Sequence, residues 1–88
     1  MALYKIIIKP SVGKEIRGLP TNLVKRILAA IENLANEPLP SGVVKLEGGG
    51  KNFRIRVGEY RIVYEFTSAE KMIEVIHVRH RRDVYRKL

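Results

Sequence analysis

The chain has 88 residues, of which 45% are hydrophobic, and we expect one globular domain over residues 1–88, too small to add a separate cofactor domain. It contains no cysteine, which excludes disulfides and thiolate metal sites and fits a cytoplasmic location. Its apolar runs are far too short to span a bilayer, and no membrane partner is expected. Seventeen Lys and Arg stand against nine Asp and Glu, and the net charge of +8 favours a polyanionic partner, nucleic acid first.

The first residues of the chain predict a strand and a short helix. Residues 3–9 are predicted as a strand because they contain three consecutive β-branched residues, Ile6, Ile7 and Ile8. The strand must stop at Pro10, and Ser11 opens a helical pattern whose apolar members are Val12, Ile16 and Leu19. Gly18 and Pro20 are expected to end this helix.

A second helix is predicted directly after Pro20. Thr21 or Asn22 can cap its first turn with a side-chain oxygen. Its apolar residues form a single stripe at helical spacing, made of Leu23, Val24, Ile27, Leu28, Ile31 and Leu34. Pro38 cannot continue the helix, and the short link between the two helices predicts an αα-hairpin.

The second half of the chain predicts three strands separated by polar turns. Residues 41–52 are expected to form a loop or an irregular edge segment. Alternating apolar and polar residues then predict strands over residues 53–57 and 60–66, joined by a tight two-residue turn. Residues 72–78 are almost wholly apolar, which predicts a central strand covered on both faces.

The predicted order of elements is β-α-α-β-β-β, and the expected class is α+β. The helical hairpin is expected to pack on one face of a curved, mainly antiparallel sheet. The opposite face of this sheet retains few apolar residues. If Phe53, Ile55 and Val57 face the helices, alternation directs Arg54 and Arg56 to the opposite face.

Cations from three segments are expected to meet on that opposite face. Arg61 joins Arg54 and Arg56 there if the core set of its strand is Tyr60, Ile62, Tyr64 and Phe66. The basic C-terminal segment brings further groups to the end of the sheet: Arg79, His80, Arg81, Arg82 and Tyr85. An ordinary solvated face is the alternative, but this clustering with a tyrosine and histidines favours a nucleic-acid surface.

Such a surface has the chemistry to cleave RNA. RNA carries its own nucleophile, the 2′-hydroxyl, so the protein must supply a proton acceptor, a proton donor and cations for the charged transition state. Arginine suits the last role because its planar fork binds two phosphate oxygens, but it stays protonated and cannot act as the base. Four residues remain as possible proton carriers: Lys51, His77, His80 and Tyr85. No grouping of carboxylates or histidines suggests a metal site.

Several stretches of the chain resemble toxins of the RelE/ParE superfamily. The first is the string Lys-Leu-Glu-Gly at residues 45–48, followed by residues 53–64, which end in the motif Tyr-Arg-Ile-Val-Tyr. The other is residues 75–85, which end in His-Arg-x-x-Val-Tyr. The order of elements and the length also match, so the resemblance covers nearly the whole chain.

The resemblance implies the toxin half of a type II toxin–antitoxin pair with a RelE-like microbial RNase fold. RelE-like members cut messenger RNA in the ribosomal A site by attack of the 2′-hydroxyl, without metal or cofactor, and so inhibit translation. The implied partners are the ribosome, its mRNA and a cognate antitoxin. The antitoxin is expected to be acidic and partly disordered, and to cover or distort the active surface.

The resemblance also implies roles for single residues. Arg61 and Arg81 match phosphate-stabilising arginines, and Tyr85 matches a tyrosine assigned to base stacking or proton transfer. With His80 these are the expected catalytic residues, and the expected substrate-binding residues are Lys51, Arg54, Arg56, Arg79 and Arg82. Many relatives have lysine where this chain has arginine at positions 54 and 56, which moves the base role toward Tyr85 or His80. Position 79, often glycine in relatives, is also arginine here.

Two alternatives share this fold. A ParE-like protein would poison DNA gyrase by binding it, and would need no catalytic tyrosine. A non-catalytic relative would bind RNA with a steep dependence on salt but would not cleave it.

Overall fold

The structure is a computed structural model that describes residues 3–46 and 51–82. Its elements are β1 (Lys5–Ile8), α1 (Pro10–Arg17), α2 (Thr21–Leu34), β2 (Val44–Lys45), β3 (Asn52–Val57), β4 (Tyr60–Thr67) and β5 (Met72–His80). Two helices pack on one five-stranded sheet, so the expected α+β class is confirmed. Within the described ranges, no helix is both long enough and apolar enough to cross a membrane.

The strands lie in the order β1-β5-β4-β3-β2. Among the described strand pairs three are antiparallel, and β1 is parallel to β5. The helices carry the chain from β1 at one edge of the sheet to β2 at the other edge. The chain then returns through antiparallel pairs to β5, which places the last strand beside the first.

The hydrophobic core lies between the helices and one face of the sheet, which we call the inner face. The helices contribute Val12, Ile16, Ile27, Ile31 and Leu34. The sheet contributes Ile55, Val57, Ile62, Tyr64, Ile73, Val75 and Val78. Burying each such aliphatic side chain stabilises the fold by about 1.5–3 kcal/mol. The alternation expected for β3 and β4 is confirmed, and it leaves their arginines on the opposite, outer face.

A β-bulge in β5 decides which face its last residues occupy. Tyr64 lies opposite Val75 but Val63 lies opposite His77, so Ile76 is an extra residue in β5. One extra residue reverses the alternation of side chains along a strand. Val78 therefore returns to the inner face after the bulge, and His77 and Arg79 lie on the outer face.

The helices begin at other residues than the patterns predicted. α1 begins at Pro10 rather than Ser11. The backbone N–H at the first helical position has no partner within the helix, so proline, which lacks this N–H, is well suited to it. The expected cap of α2 is wrong. Pro20 occupies the N-cap position, Thr21 is already helical, and no side chain caps this end.

The strands also differ in detail from their predictions. β1 is shorter than residues 3–9, and residues 41–52 contain the two-residue edge strand β2 as well as the start of β3. β5 is not covered on both faces. Its buried residues all point inward, and the residues between them are only half-buried. The expected two-sided burial is wrong because both helices pack on the inner face, so only the inward residues of β5 are buried.

Candidate functional site

Three arginines from neighbouring strands form one lateral row on the outer face. Arg56 of β3 lies opposite Arg61 of β4, which in turn lies opposite Arg79 of β5. Residues directly opposite one another on adjacent strands share a face, with Cβ atoms about 5 Å apart. We call these three residues the arginine row. Like charges in such positions repel each other, so the row costs stability, as residues kept for function commonly do.

Arg61, at the centre of the arginine row, is only 7% exposed. Its Nη1 donates hydrogen bonds to the carbonyl oxygens of Tyr60 at 3.2 Å and Gly58 at 3.5 Å. These carbonyl groups orient the guanidinium without neutralising its charge. A buried and already oriented cation interacts strongly with an anion, because little water or side-chain motion opposes it.

A cavity of about 490 Å³ opens beside the arginine row, at the edge of the sheet formed by β2 and β3. One part of its wall consists of Arg54, Arg56 and Arg61. The rest comes from Ala30 and Asn33 of α2, from Ile55, and from the segment between α2 and β3. Ligand sites commonly have volumes of about 300–1,000 Å³, so this cavity can admit a nucleotide-sized group.

Tyr64 fixes the segment that forms the far wall of this cavity. Its side chain is fully buried, and its hydroxyl donates a hydrogen bond of 2.6 Å to the carbonyl oxygen of Pro38. Burial raises the pKa of Tyr64 to about 12, so the hydroxyl keeps its proton at any physiological pH. Tyr64 therefore ties the segment after α2 to the same strand that carries Arg61.

The turn between β3 and β4 brings two more arginines to this end of the sheet. Gly58 adopts a φ of +59°, and the Arg26 guanidinium of α2 lies 3.7 Å from the point where a Cβ on Gly58 would be. The backbone N–H of Arg81 donates to the carbonyl oxygen of Glu59 at 2.8 Å. The Nε of Arg81 also contacts the Glu59 carboxylate at 3.2 Å, in an exposed ion pair. Arg81 thus lies at the same end of the sheet as the arginine row, although it does not line the cavity.

Glu15 of α1 contacts the third member of the arginine row. Its Oε2 accepts a hydrogen bond of 3.0 Å from the Nε of Arg79. Its Oε1 accepts one of 3.1 Å from the backbone N–H of Val78. β1 pairs with β5 only as far as Val75. Beyond that point the Glu15 carboxylate accepts the backbone hydrogen bond that a neighbouring strand would otherwise accept.

The two histidines lie on opposite faces of the sheet. His80 lies opposite Tyr60 on the inner face, with the two ring centroids 5.4 Å apart, and its Nδ1 accepts a hydrogen bond from the N–H of Arg82. His77 lies opposite Val63 on the outer face, in the same lateral line as Arg54. The bulge therefore gives His77, rather than His80, the face of the arginine row.

The remaining predicted residues lie further from the arginine row. Lys51 precedes β3, about 17 Å along the strand from Arg56 at roughly 3.3 Å per residue. Arg82 is exposed directly after β5. Tyr85 lies outside the described residues. In the part of the chain that the structure describes, no group of three or more His, Asp or Glu side chains is placed to hold a metal ion.

Three residues at this site were missed by sequence reasoning. Glu15 contacts residues more than sixty positions away along the chain, and no local sequence pattern predicts such a contact. Arg26 lies outside the apolar stripe of α2, and helical periodicity alone gives no reason to place it beside Gly58. Glu59 was predicted only as part of the two-residue turn. An acidic turn residue in a chain whose C-terminal segment is rich in arginine is a signal that could have predicted the ion pair with Arg81.

Comparison with known proteins agrees with this geometry. The family model for the ParE toxin of the type II toxin–antitoxin system parDE matches residues 6–85. A chain of the archaeal RelE–RelB complex from Pyrococcus horikoshii is 32% identical, with a TM-score of 0.81 over 92% of this chain and 97% of that chain. A chain of the RelB–RelE complex from Methanococcus jannaschii is 28% identical, with a TM-score of 0.74 over 90% of this chain and 94% of that chain. Toxin RelG of Mycobacterium tuberculosis is 25% identical over 85 residues, which cover 96% of this chain and 98% of that protein. The chain therefore belongs to the RelE/ParE superfamily and is a toxin of a type II toxin–antitoxin system.

Proposed function

We propose that the protein is an endoribonuclease that cleaves mRNA in the ribosomal A site, by attack of the 2′-hydroxyl on the adjacent phosphate, and so inhibits translation. The observation that supports this most directly is the arginine row beside the cavity. Arg61 is buried, oriented by two carbonyl groups and flanked by two more cations, and among the described residues it forms no salt bridge. Such an arrangement suits a phosphate group whose negative charge grows in the transition state.

Each arginine has a distinct part in this proposal. Arg61 stabilises the phosphorane, because it is buried and already oriented. Arg54 and Arg56 hold the flanking backbone of the RNA, and Arg79 binds the scissile phosphate beside Arg61. Arg81, which directly follows β5, exchanges its exposed contact with Glu59 for a phosphate oxygen. That exchange costs little, since exposed ion pairs contribute at most about 1 kcal/mol.

The proton acceptor must be a residue other than arginine. Tyr85 is our first candidate, from the resemblance to RelE-type toxins. His80 remains a candidate, but in the described structure it lies on the inner face with its Nδ1 engaged. His77 shares the outer face with the arginine row and lies two residues before Arg79 along β5.

The proposed partners follow from charge and from the similar complexes. The similar chains from Pyrococcus horikoshii and Methanococcus jannaschii occur in complexes with RelB. We propose that a RelB-type antitoxin of acidic character covers the arginine row, because the net charge of +8 favours such a partner. We further propose that the ribosome holds the mRNA in line for attack, since the small domain offers few groups that could do so.

The test is codon-level cleavage of mRNA on programmed ribosomes. Wild type should cleave, and Arg61→Ala should cleave at least about 100-fold more slowly, as is typical when one group that stabilises transition-state charge is removed. Arg81→Ala, Tyr85→Phe, His77→Gln and His80→Gln then assign the remaining roles. Lys25→Ala, an exposed change on α2, is the control and should leave the rate unchanged. Equal rates for wild type, Arg61→Ala, Arg81→Ala and Tyr85→Phe would remove the site assignment.

A second candidate function is inhibition of DNA gyrase by binding. The specific observation in its favour is the match to the family model described as ParE toxin. A gyrase supercoiling assay separates the two proposals, because inhibition of supercoiling without RNA cleavage would favour the gyrase inhibitor. Binding of RNA without cleavage, and without an effect on gyrase, would indicate a non-catalytic relative.

A further inference from the structure

We propose that Glu15 is a positioning residue for the cleavage reaction, and that it acts by orienting Arg79 toward the scissile phosphate. The inference rests on the proposed function above, and it adds a residue that neither the sequence motifs nor the family resemblance assigned. It depends on the two hydrogen bonds that join α1 to the end of β5.

The Glu15 carboxylate holds Arg79 by one atom only. Its Oε2 accepts from the Nε of Arg79, and in the described residues the Nη atoms of Arg79 make no further hydrogen bond. The Nε contact fixes the plane of the guanidinium, and the Nη edge stays available for an anion. Because an arginine binds phosphate through parallel N–H groups, that edge is the part of Arg79 that a phosphate needs.

The second bond explains why Glu15 itself is rigid. Its Oε1 accepts from the backbone N–H of Val78, so the carboxylate is anchored to the strand next to the side chain that it orients. Both side chains of the pair are less than one third exposed, at 29% for Arg79 and 27% for Glu15. By contrast, the exposed Arg81–Glu59 pair has side chains 55% and 66% exposed. The Glu15 contact therefore restricts its arginine more than the surface pair does.

A carboxylate at this position also offsets a repulsion between cations. Arg79 lies directly opposite Arg61, and two cations in that position repel each other. Without an anion beside it, the long Arg79 side chain would rotate away from the arginine row into solvent. Glu15 offsets this repulsion and holds the guanidinium at the end of the row that faces α1.

Glu15→Gln separates positioning by charge from a merely structural role. Glutamine keeps the length of the side chain and one acceptor oxygen for the Val78 N–H, but it removes the negative charge. Glu32→Gln is the matched control, since Glu32 is an exposed glutamate on α2 and the net charge changes by the same amount. Arg79→Ala and the double variant Glu15→Gln/Arg79→Ala complete a double-mutant cycle.

Two quantities are measured for each variant. One is the single-turnover cleavage rate on programmed ribosomes at saturating toxin. The other is the affinity for the same ribosomes carrying mRNA with a 2′-deoxy nucleotide at the cleavage position. We expect Glu15→Gln to lower the rate at least about tenfold, because a misplaced group commonly costs that much. Its affinity should be equal or tighter, because the toxin has become more basic, and Glu32→Gln should cleave like wild type.

The double variant tests whether Glu15 acts through Arg79, and the wild type tests the proposed function itself. If Glu15 acts through Arg79, the double variant should cleave no more slowly than Arg79→Ala alone. Unchanged or faster cleavage by Glu15→Gln would overturn the inference, and so would fully additive losses in the double variant. Absence of cleavage by the wild type would instead overturn the proposed function on which the inference rests.

Discussion

At the scale of single residues, Arg61 shows a conflict between stability and the proposed activity. Its charge is buried beside two other cations, and buried charges can often be replaced by apolar side chains without loss of stability. We predict that Arg61→Met lowers cleavage about 100-fold or more. The same change should leave the free energy of unfolding within about 1 kcal/mol of wild type, or raise it. Urea unfolding and single-turnover cleavage measure the two effects, and a large loss of stability would show that Arg61 is mainly structural.

Tyr64 predicts a stability loss at high pH. Its pKa is about 12 in the folded protein and about 10 when unfolded, because burial disfavours the charged phenolate. The stabilisation from a neutral Tyr64 is thus complete below about pH 10 and is lost as the pH rises toward about 12. Two pKa units correspond to about 3 kcal/mol in the free energy of unfolding. The measurement is urea unfolding across that pH range.

Tyr64→Phe is the control for this titration. It removes the ionisable hydroxyl and should abolish the Tyr64 part of the loss at high pH. At neutral pH it should cost about 1 kcal/mol, since the carbonyl oxygen of Pro38 loses its donor. An identical pH dependence for both proteins would show that other groups control unfolding in this range.

At the scale of elements, two turns with left-handed backbone give opposite predictions. Gly58 has a φ of +59° and Lys71 a φ of +51°. Gly58→Ala should lower the free energy of unfolding by about 1–2 kcal/mol, because a Cβ is unfavourable in this conformation. Lys71→Gly should raise it by about 0.5 kcal/mol, since relief of this strain slightly exceeds the added chain entropy of glycine.

Urea unfolding with an unchanged slope measures both turn variants. Gly58→Asn is a suitable control, because asparagine tolerates the left-handed region better than alanine does. It should therefore be more stable than Gly58→Ala. If Gly58→Ala, Gly58→Asn and the wild type were equally stable, backbone conformation would not be what selects glycine at position 58.

The elements themselves could largely be predicted from the sequence, because apolar spacing is a local property. A period of 3.6 residues identified both helices and a period of two identified β3 and β4, while β-branched and apolar runs identified β1 and β5. Alternation also placed Arg54, Arg56 and Arg61 on one face. The bulge at Ile76 could not be predicted, since an apolar residue there fits a regular strand equally well. That single irregularity reverses the faces of the residues after it. It moves His77 and Arg79 to the outer face and His80 to the inner face.

At the scale of the whole molecule, contacts between segments distant in the chain could not be predicted from the sequence. The parallel pairing of β1 with β5 and the Glu15 contact to Arg79 both join the N-terminal third to the end of the chain. Periodicity says which face a residue occupies but not which element lies next to it. The cations of the candidate site could therefore be predicted, whereas the carboxylate that orients one of them could not.

The net charge of +8 leads to a final prediction on salt dependence. If the outer face binds RNA through phosphates, each arginine in contact with one releases counterions when RNA binds. For a single-stranded RNA with a 2′-deoxy nucleotide at the cleavage position, the logarithm of affinity should fall linearly with the logarithm of salt concentration. Arg56→Ala should reduce that slope by about 0.7, the value for one phosphate contact on a single strand.

Lys25→Ala is the matched control, because it removes one exposed positive charge from the helical side of the molecule. It lowers the net charge as much as Arg56→Ala does, but it should leave the slope unchanged, since only contacts at the phosphate release counterions. The measurement is the dissociation constant of each variant at several salt concentrations. Equal slopes for the two variants would mean that the positive charge acts diffusely over the whole surface. RNA would then have no preferred face on this toxin, and the arginine row would need another explanation.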